Sequence, residues 1–161
     1  MKQGERPKQY EDNDMKKYAV NKARLMSRAW QIAKTLTGDI SARLSMALRM
    51  AWNETKTAFF LLSIGAKAWR HPESGDIRIY LNRISDDLLD IEKDFYKTGN
   101  LSSFSWRGHL TSNCQGKRIM AALDGAYYDV KTGRIVTNRW ADSDTASTVK
   151  AALAAAIAAR M

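Results

Sequence analysis

From position 21 onward, apolar residues recur at intervals of three and four. Leu25, Ala29, Trp30, Ile32, Ala33 and Leu36 fall on one face of a helix. Gly38 ends that segment, and Asp39 or Ser41 can cap the next. In that next helix Leu44, Ala47, Leu48, Ala51 and Trp52 repeat the pattern. The expectation is a two-helix hairpin with a tryptophan on each helix in the first half of the core. The period then shortens to two. In "IGAKAWRHPESGDIRIYLNRI" Ile77, Ile79 and Leu81 alternate with Arg78, Tyr80 and Asn82, and Pro72, Ser74, Gly75 and Asp76 supply a turn. Two strands are expected, with the apolar set inward and Arg78 outward.

"SDDLLDIEKDFYKTGN" begins with Ser85 as a cap and with acids in its first turn, which predicts a short helix ending before Gly99. Leu101 to Trp106 alternates with serines and reads as a strand. Ser112 or Asn113 caps a further helix over "CQGKRIMAAL", although Gly116 argues against it. "AYYDVKTGRIVTN" is the strongest hairpin. Tyr127, Tyr128 and Val130 face Ile135 and Val136 across Lys131, Thr132 and Gly133. Asp142, Ser143 or Asp144 caps an Ala-rich helix running to Arg160. This order predicts an α+β fold, a helical hairpin followed by β-hairpins, intervening short helices and a C-terminal helix. Residues 1–20 lack a sustained apolar pattern and are read as a mobile basic and polar arm that docks through Tyr10 and Tyr18. Residues 21–161 are read as one domain.

Two stretches resemble each other, "RIYLNRI" at 78–84 and "RIVTNRW" at 134–140. Their flanks do not extend the match, so they are two similar hairpin exits and not a repeat.

Charge changes the picture most. The 161 residues carry a formal net charge of +9, with ordinary hydrophobic (45%) and charged (27%) fractions. The positive excess lies in 1–75 and 101–141, whereas 76–100 is net acidic. A surface of this kind favours a polyanionic or acidic partner. Arg24 and Arg28 sit one turn apart on the first helix. Arg107, Lys117, Arg118, Lys131, Arg134 and Arg139 cluster in sequence near Tyr128 and Trp140. Cations interleaved with aromatics on a sheet can hold phosphates while rings stack on bases. These ten residues are the candidate binding set. The lone Cys114 and the absence of an apolar leader fit a reducing cytosol, here that of a bacterial host.

Candidate chemistry is sparse. His71, His109 and Cys114 have no metal-ligand spacing, and "CQGKR" lacks the glycine and hydroxyl of a phosphate loop. Neither a metal nor a cofactor is expected. The carboxylates Asp86, Asp87, Asp90, Glu92 and Asp94 could pair at i, i+4 on a helix as a nuclease site. They could also face a basic surface in a homodimer. Cys114 with His109 is the other conceivable catalytic pair.

"YKTGNLSSFSWRGHLTSNCQGKRIMAALDGAYYDVKTGRIV", with "RIYLN" and "ALRMAWNETK" before it, resembles a recurring type of small phage and plasmid protein. The resemblance carries no catalytic residues over. It implies a mobile-element accessory role. The expectation is therefore a non-catalytic protein that binds nucleic acid or a nucleic-acid-handling host complex, an anti-CRISPR-type inhibitor being its specific form. The alternatives are a stand-alone DNA- or RNA-binding regulator and a small nuclease or transferase.

Overall fold

The computed structural model describes residues 21–161, so the arm and its Tyr10 and Tyr18 lie outside the described residues. The fold is α+β. Helix α1 (Lys22–Ala33) and helix α2 (Ile40–Ser63) form an opening hairpin. The side chain of Asn21 accepts from the amides of Ala23 and Arg24, and that of Asp39 from Ser41 and Ala42, so each helix starts on a capped turn. A four-stranded antiparallel sheet follows in the order β1 (Lys67–Arg70), β2 (Ile77–Tyr80), β6 (Tyr127–Asp129), β7 (Arg134–Val136). Between β2 and β6 the chain makes a one-turn helix α3 (Ser85–Leu88), a three-stranded sheet and helix α4 (Asn113–Leu123). The smaller sheet has the order β3 (Ile91–Phe95), β4 (Leu101–Trp106), β5 (His109–Leu110). Helix α5 (Ser143–Arg160) closes the described chain, capped by Asp142.

The main core gathers the second half of α2, the inward residues of both sheets, α4 and α5 around Leu61, Ile79, Leu81, Phe104, Ile119, Val149 and Leu153. A smaller cluster of Ala29, Ile32, Ala33, Ala47 and Ala51 joins α1 to the first half of α2. α2 contributes to both.

Three expectations are corrected. Residues 91–95 are strand, not helix. The helix ends after one turn because Asp90 takes a left-handed conformation at φ 47°. Beyond it the chain pairs with β4, from Ile91 opposite Trp106 to Phe95 opposite Leu101, across a turn closed by Gly99 N–H donating to Tyr96 O at 2.8 Å. Partner-strand pairing outweighs the local helical spacing here. Ser85 is inside the helix, and Ile84 occupies the cap position without a side-chain bond. Trp30 and Trp52 are not core: each is 44% exposed. The two helices meet through alanines, whose small side chains bring the backbones close and leave the indole rings at the margin. Gly116, by contrast, is well placed in α4. A Cβ there would lie 2.6 Å from Cγ of Phe104, so the missing side chain is what lets α4 sit on β4.

Candidate functional site

Strand alternation sorts the large sheet into two faces. Ala68, Ile77, Ile79, Tyr128 and Ile135 share the inner one. Lys67, Trp69, Arg78, Tyr80 and Tyr127 share the outer one, because Lys67 pairs with Tyr80, Trp69 with Arg78, and Tyr80 with Tyr127 across the strands. On this outer face the Arg78 guanidinium carbon lies 5.6 Å from the Trp69 ring centre and 4.8 Å from that of Tyr127. Tyr80 and Tyr127 are 5.9 Å apart, and Trp69 meets His71 edge-on at 5.5 Å. The π faces of the rings attract the cation between them. No carboxylate among the described residues forms an ion pair with Arg78. The one acid on this face, Asp129, accepts at 2.9 Å from both the Lys131 amide and the Thr132 hydroxyl, so its carboxylate is held by its own hairpin loop.

The ten expected binding residues do not form one surface. Arg28 is a structural clamp. It donates to both carboxylate oxygens of Glu54, at 2.7 and 2.8 Å, and to the carbonyl of Thr132 at 2.7 Å, joining α1, α2 and the β6–β7 loop. Hydrogen bonding to Glu54 raises its pKa above the ordinary arginine value, so it stays charged throughout. Tyr128 is buried, and its hydroxyl donates to the Glu54 carbonyl at 3.2 Å. Arg24 reaches the Gly75 carbonyl at 3.5 Å, and Lys131 pairs with Asp76 at 3.3 Å. These two, with Arg28, border a depression of about 410 Å³ between α1 and the sheet. Arg134, on the edge strand, borders a separate groove of about 930 Å³. Its walls are Met50 and Thr57 of α2 and Lys150, Ala154 and Ile157 of α5.

The remaining residues lie elsewhere. Arg107 is in the β4–β5 turn at φ 54°, with its amide bonded back to the carbonyls of Leu89 and Asp90. Lys117 and Arg118 are exposed on α4. The charge of Arg118 acts on Asp142, which places α4 beside the loop before α5. In that loop Arg139 stacks on Trp140 at 4.6 Å, and Trp140 is 80% exposed. The structure therefore joins Arg118 to the loop of Arg139 and Trp140, and separates both from the large sheet's outer face.

The helical spacing that would have paired the acids does not exist, since the helix ends at Leu88. Three of the five are engaged locally: Asp86 pairs with Lys93, Asp90 lies 3.6 Å from Arg160, and Asp94 accepts from Ser103 at 2.9 Å. His71 accepts through Nδ1 from the amides of Glu73 and Ser74 in the β1–β2 turn. Among the described residues no group of three or more His, Cys, Asp or Glu could hold a metal ion, and no helix is long and apolar enough to cross a membrane.

Sequence reasoning missed Lys67, Trp69 and Tyr80 as binding candidates, and left Arg78 as an outward residue with no role. The signal was present in the alternation of "KAWR" and "IRIY", but only the β2–β6 pairing brings Tyr127 beside them.

About a third of the chain is similar to a phage protein family. Residues 25–77, which span most of α1, all of α2 and β1, and the turn into β2, match the family described as Streptococcus thermophilus bacteriophage Gp111 protein. This similarity supports a phage protein and specifies no activity. No curated protein and no solved structure matches the chain.

Proposed function

We propose that this is a non-catalytic phage accessory protein acting in the host cytosol. It binds nucleic acid or a host complex that handles nucleic acid, and its specific form is a host-defence inhibitor of the anti-CRISPR type. The observation that carries this reading is the outer sheet face, where Arg78 lies between Trp69 and Tyr127 beside Lys67, with no acid paired to it among the described residues. The net charge of +9 and the partial match to a phage protein point the same way. An arginine pinned between rings loses little freedom when it meets a phosphate, and rings beside cations suit either bases or the surface of a nucleic-acid-binding protein.

The test is binding of the full chain to labelled oligonucleotides over a range of salt. A straight log–log decline in affinity, with a slope near −0.7 to −0.9 for each phosphate neutralised, supports direct nucleic-acid binding. No binding even at low salt removes that half of the proposal. Affinity capture from a nuclease-treated host lysate then tests the remaining half. Recovery of a nucleic-acid-handling complex by wild type but not by Arg78→Ala supports it, and recovery of none contradicts it.

A further inference from the structure

We infer that the outer face of the large sheet is a stacking platform for a single-stranded polynucleotide. The inference rests on the nucleic-acid reading above and names its ligand class. Three observations carry it. The first is geometry. Trp69 and Tyr127 stand on β1 and β6, on either side of β2. At strand spacings of about 4.8 Å the two rings are therefore roughly 10 Å apart, with Arg78 between them. A chain crossing the strands meets ring, cation and ring in turn, with Tyr80 and Lys67 alongside.

The second is charge. Lys67 and Arg78 are cations of the face, the register adds Arg134 opposite Asp129 at its edge, and the carboxylate of Asp129 is occupied by Lys131 and Thr132 of its own loop. A polyanion therefore meets attraction and little opposition. The third is the kind of contact on offer. Flat π surfaces bind the faces of bases, which are free in a single strand and stacked away inside a duplex. A duplex would find only the cations. The Arg139–Trp140 pair offers a single ring beside its cation, with no second ring stacked on it among the described residues, so it lacks the ring–cation–ring succession of the sheet.

The test uses the full chain, with fluorescence anisotropy of a labelled oligo(dT) of about 15 nucleotides, in the range of known single-strand site sizes, and of a duplex of equal length. Trp69→Leu and Tyr127→Leu keep apolar bulk on the sheet and remove the π faces. Each variant is checked for folding by circular dichroism and melting before titration. The single strand is expected to bind more tightly than the duplex. Each leucine variant should weaken the single strand by roughly five- to a hundred-fold, and should leave the duplex nearly unchanged. Trp69→Phe and Tyr127→Phe, which retain a ring, should keep most of the affinity, and Trp69→Thr and Tyr127→Thr, strand formers without a ring, should lose it and replace any leucine variant that does not fold.

Oligonucleotide binding that survives both leucine substitutions would overturn the platform and leave the general nucleic-acid reading intact. So would a preference for duplex. Absence of binding to either probe would remove the platform together with the direct nucleic-acid reading, leaving only the host-complex reading.

Discussion

The two faces of the large sheet are built from the same strands and differ in burial and in what their side chains meet. Ile77 and Ile79 are almost fully buried, whereas their neighbours Arg78 and Tyr80 are half-buried and Trp69 is 39% exposed. The arginines repeat the contrast. Arg28 is closed into a bidentate pair with Glu54 and a third bond to Thr132, while Arg78 lies beside the rings of Trp69 and Tyr127. The first has its hydrogen-bonding edge filled by the protein, and the second makes no ion pair among the described residues. Charge alone does not mark Arg28 as a structural cation; the Glu54 carboxylate that the fold supplies to it does.

The largest effects should come from the inner face. Ile79→Ala removes a fully buried side chain at the centre of the sheet and should cost about 2–5 kcal/mol, read as a fall in the denaturant midpoint. Its outward neighbour should not: Tyr80→Leu is expected within about 1 kcal/mol of wild type, since it loses only a cross-strand ring contact. Similar costs for the two would erase the distinction between the faces.

Breaking the clamp should come next. Glu54→Ala leaves a partly buried Arg28 without its carboxylate, and should cost more than the ~1 kcal/mol of an exposed pair and less than the ~3–5 kcal/mol of a fully buried one. Gly133→Ala attacks the same clamp from the hairpin. The new Cβ would lie 2.3 Å from a Glu54 carboxylate oxygen, and the residue sits at φ 68°. Equilibrium unfolding should show both variants destabilised, and the pair combined less than additively, because they break one network.

The smallest effect concerns the cap of α5. A hydrogen bond from Thr145, with the amides of Asp144 and Thr145 and the charge of Arg118, holds the Asp142 carboxyl below its ordinary pKa. A lowered folded-state pKa stabilises the protein above the unfolded value of 3.8 and loses that contribution as pH falls through the folded value. Asp142→Asn keeps a good cap without the titration. Its melting temperature should fall less steeply than that of wild type below about pH 4. Parallel acid melts would contradict the assignment.

Much of the fold was legible because local signals agreed with tertiary demands. Both hairpins of the large sheet, the caps at Asp39 and Ser112, and the helical hairpin follow from periodicity and turn chemistry. Residues 91–95 were not legible, since Ile91 and Phe95 suit a helical spacing and only pairing with β4 decides against it. The candidate site was half legible. Alternation put Arg78 outward, but its ring partners come from strands before and well after it in the chain. Conversely, Arg28 and Tyr128 look like surface residues in sequence, and it is Glu54, on another helix, that engages them.

We propose that Arg78, unlike Arg28, is held for a ligand. The deciding measurement is the oligonucleotide affinity of Arg78→Ala against wild type at one low salt concentration, on protein shown to be folded. The expected result is a loss of about tenfold or more, the scale of one charge-assisted hydrogen bond, with little change in stability. Unchanged affinity would contradict it.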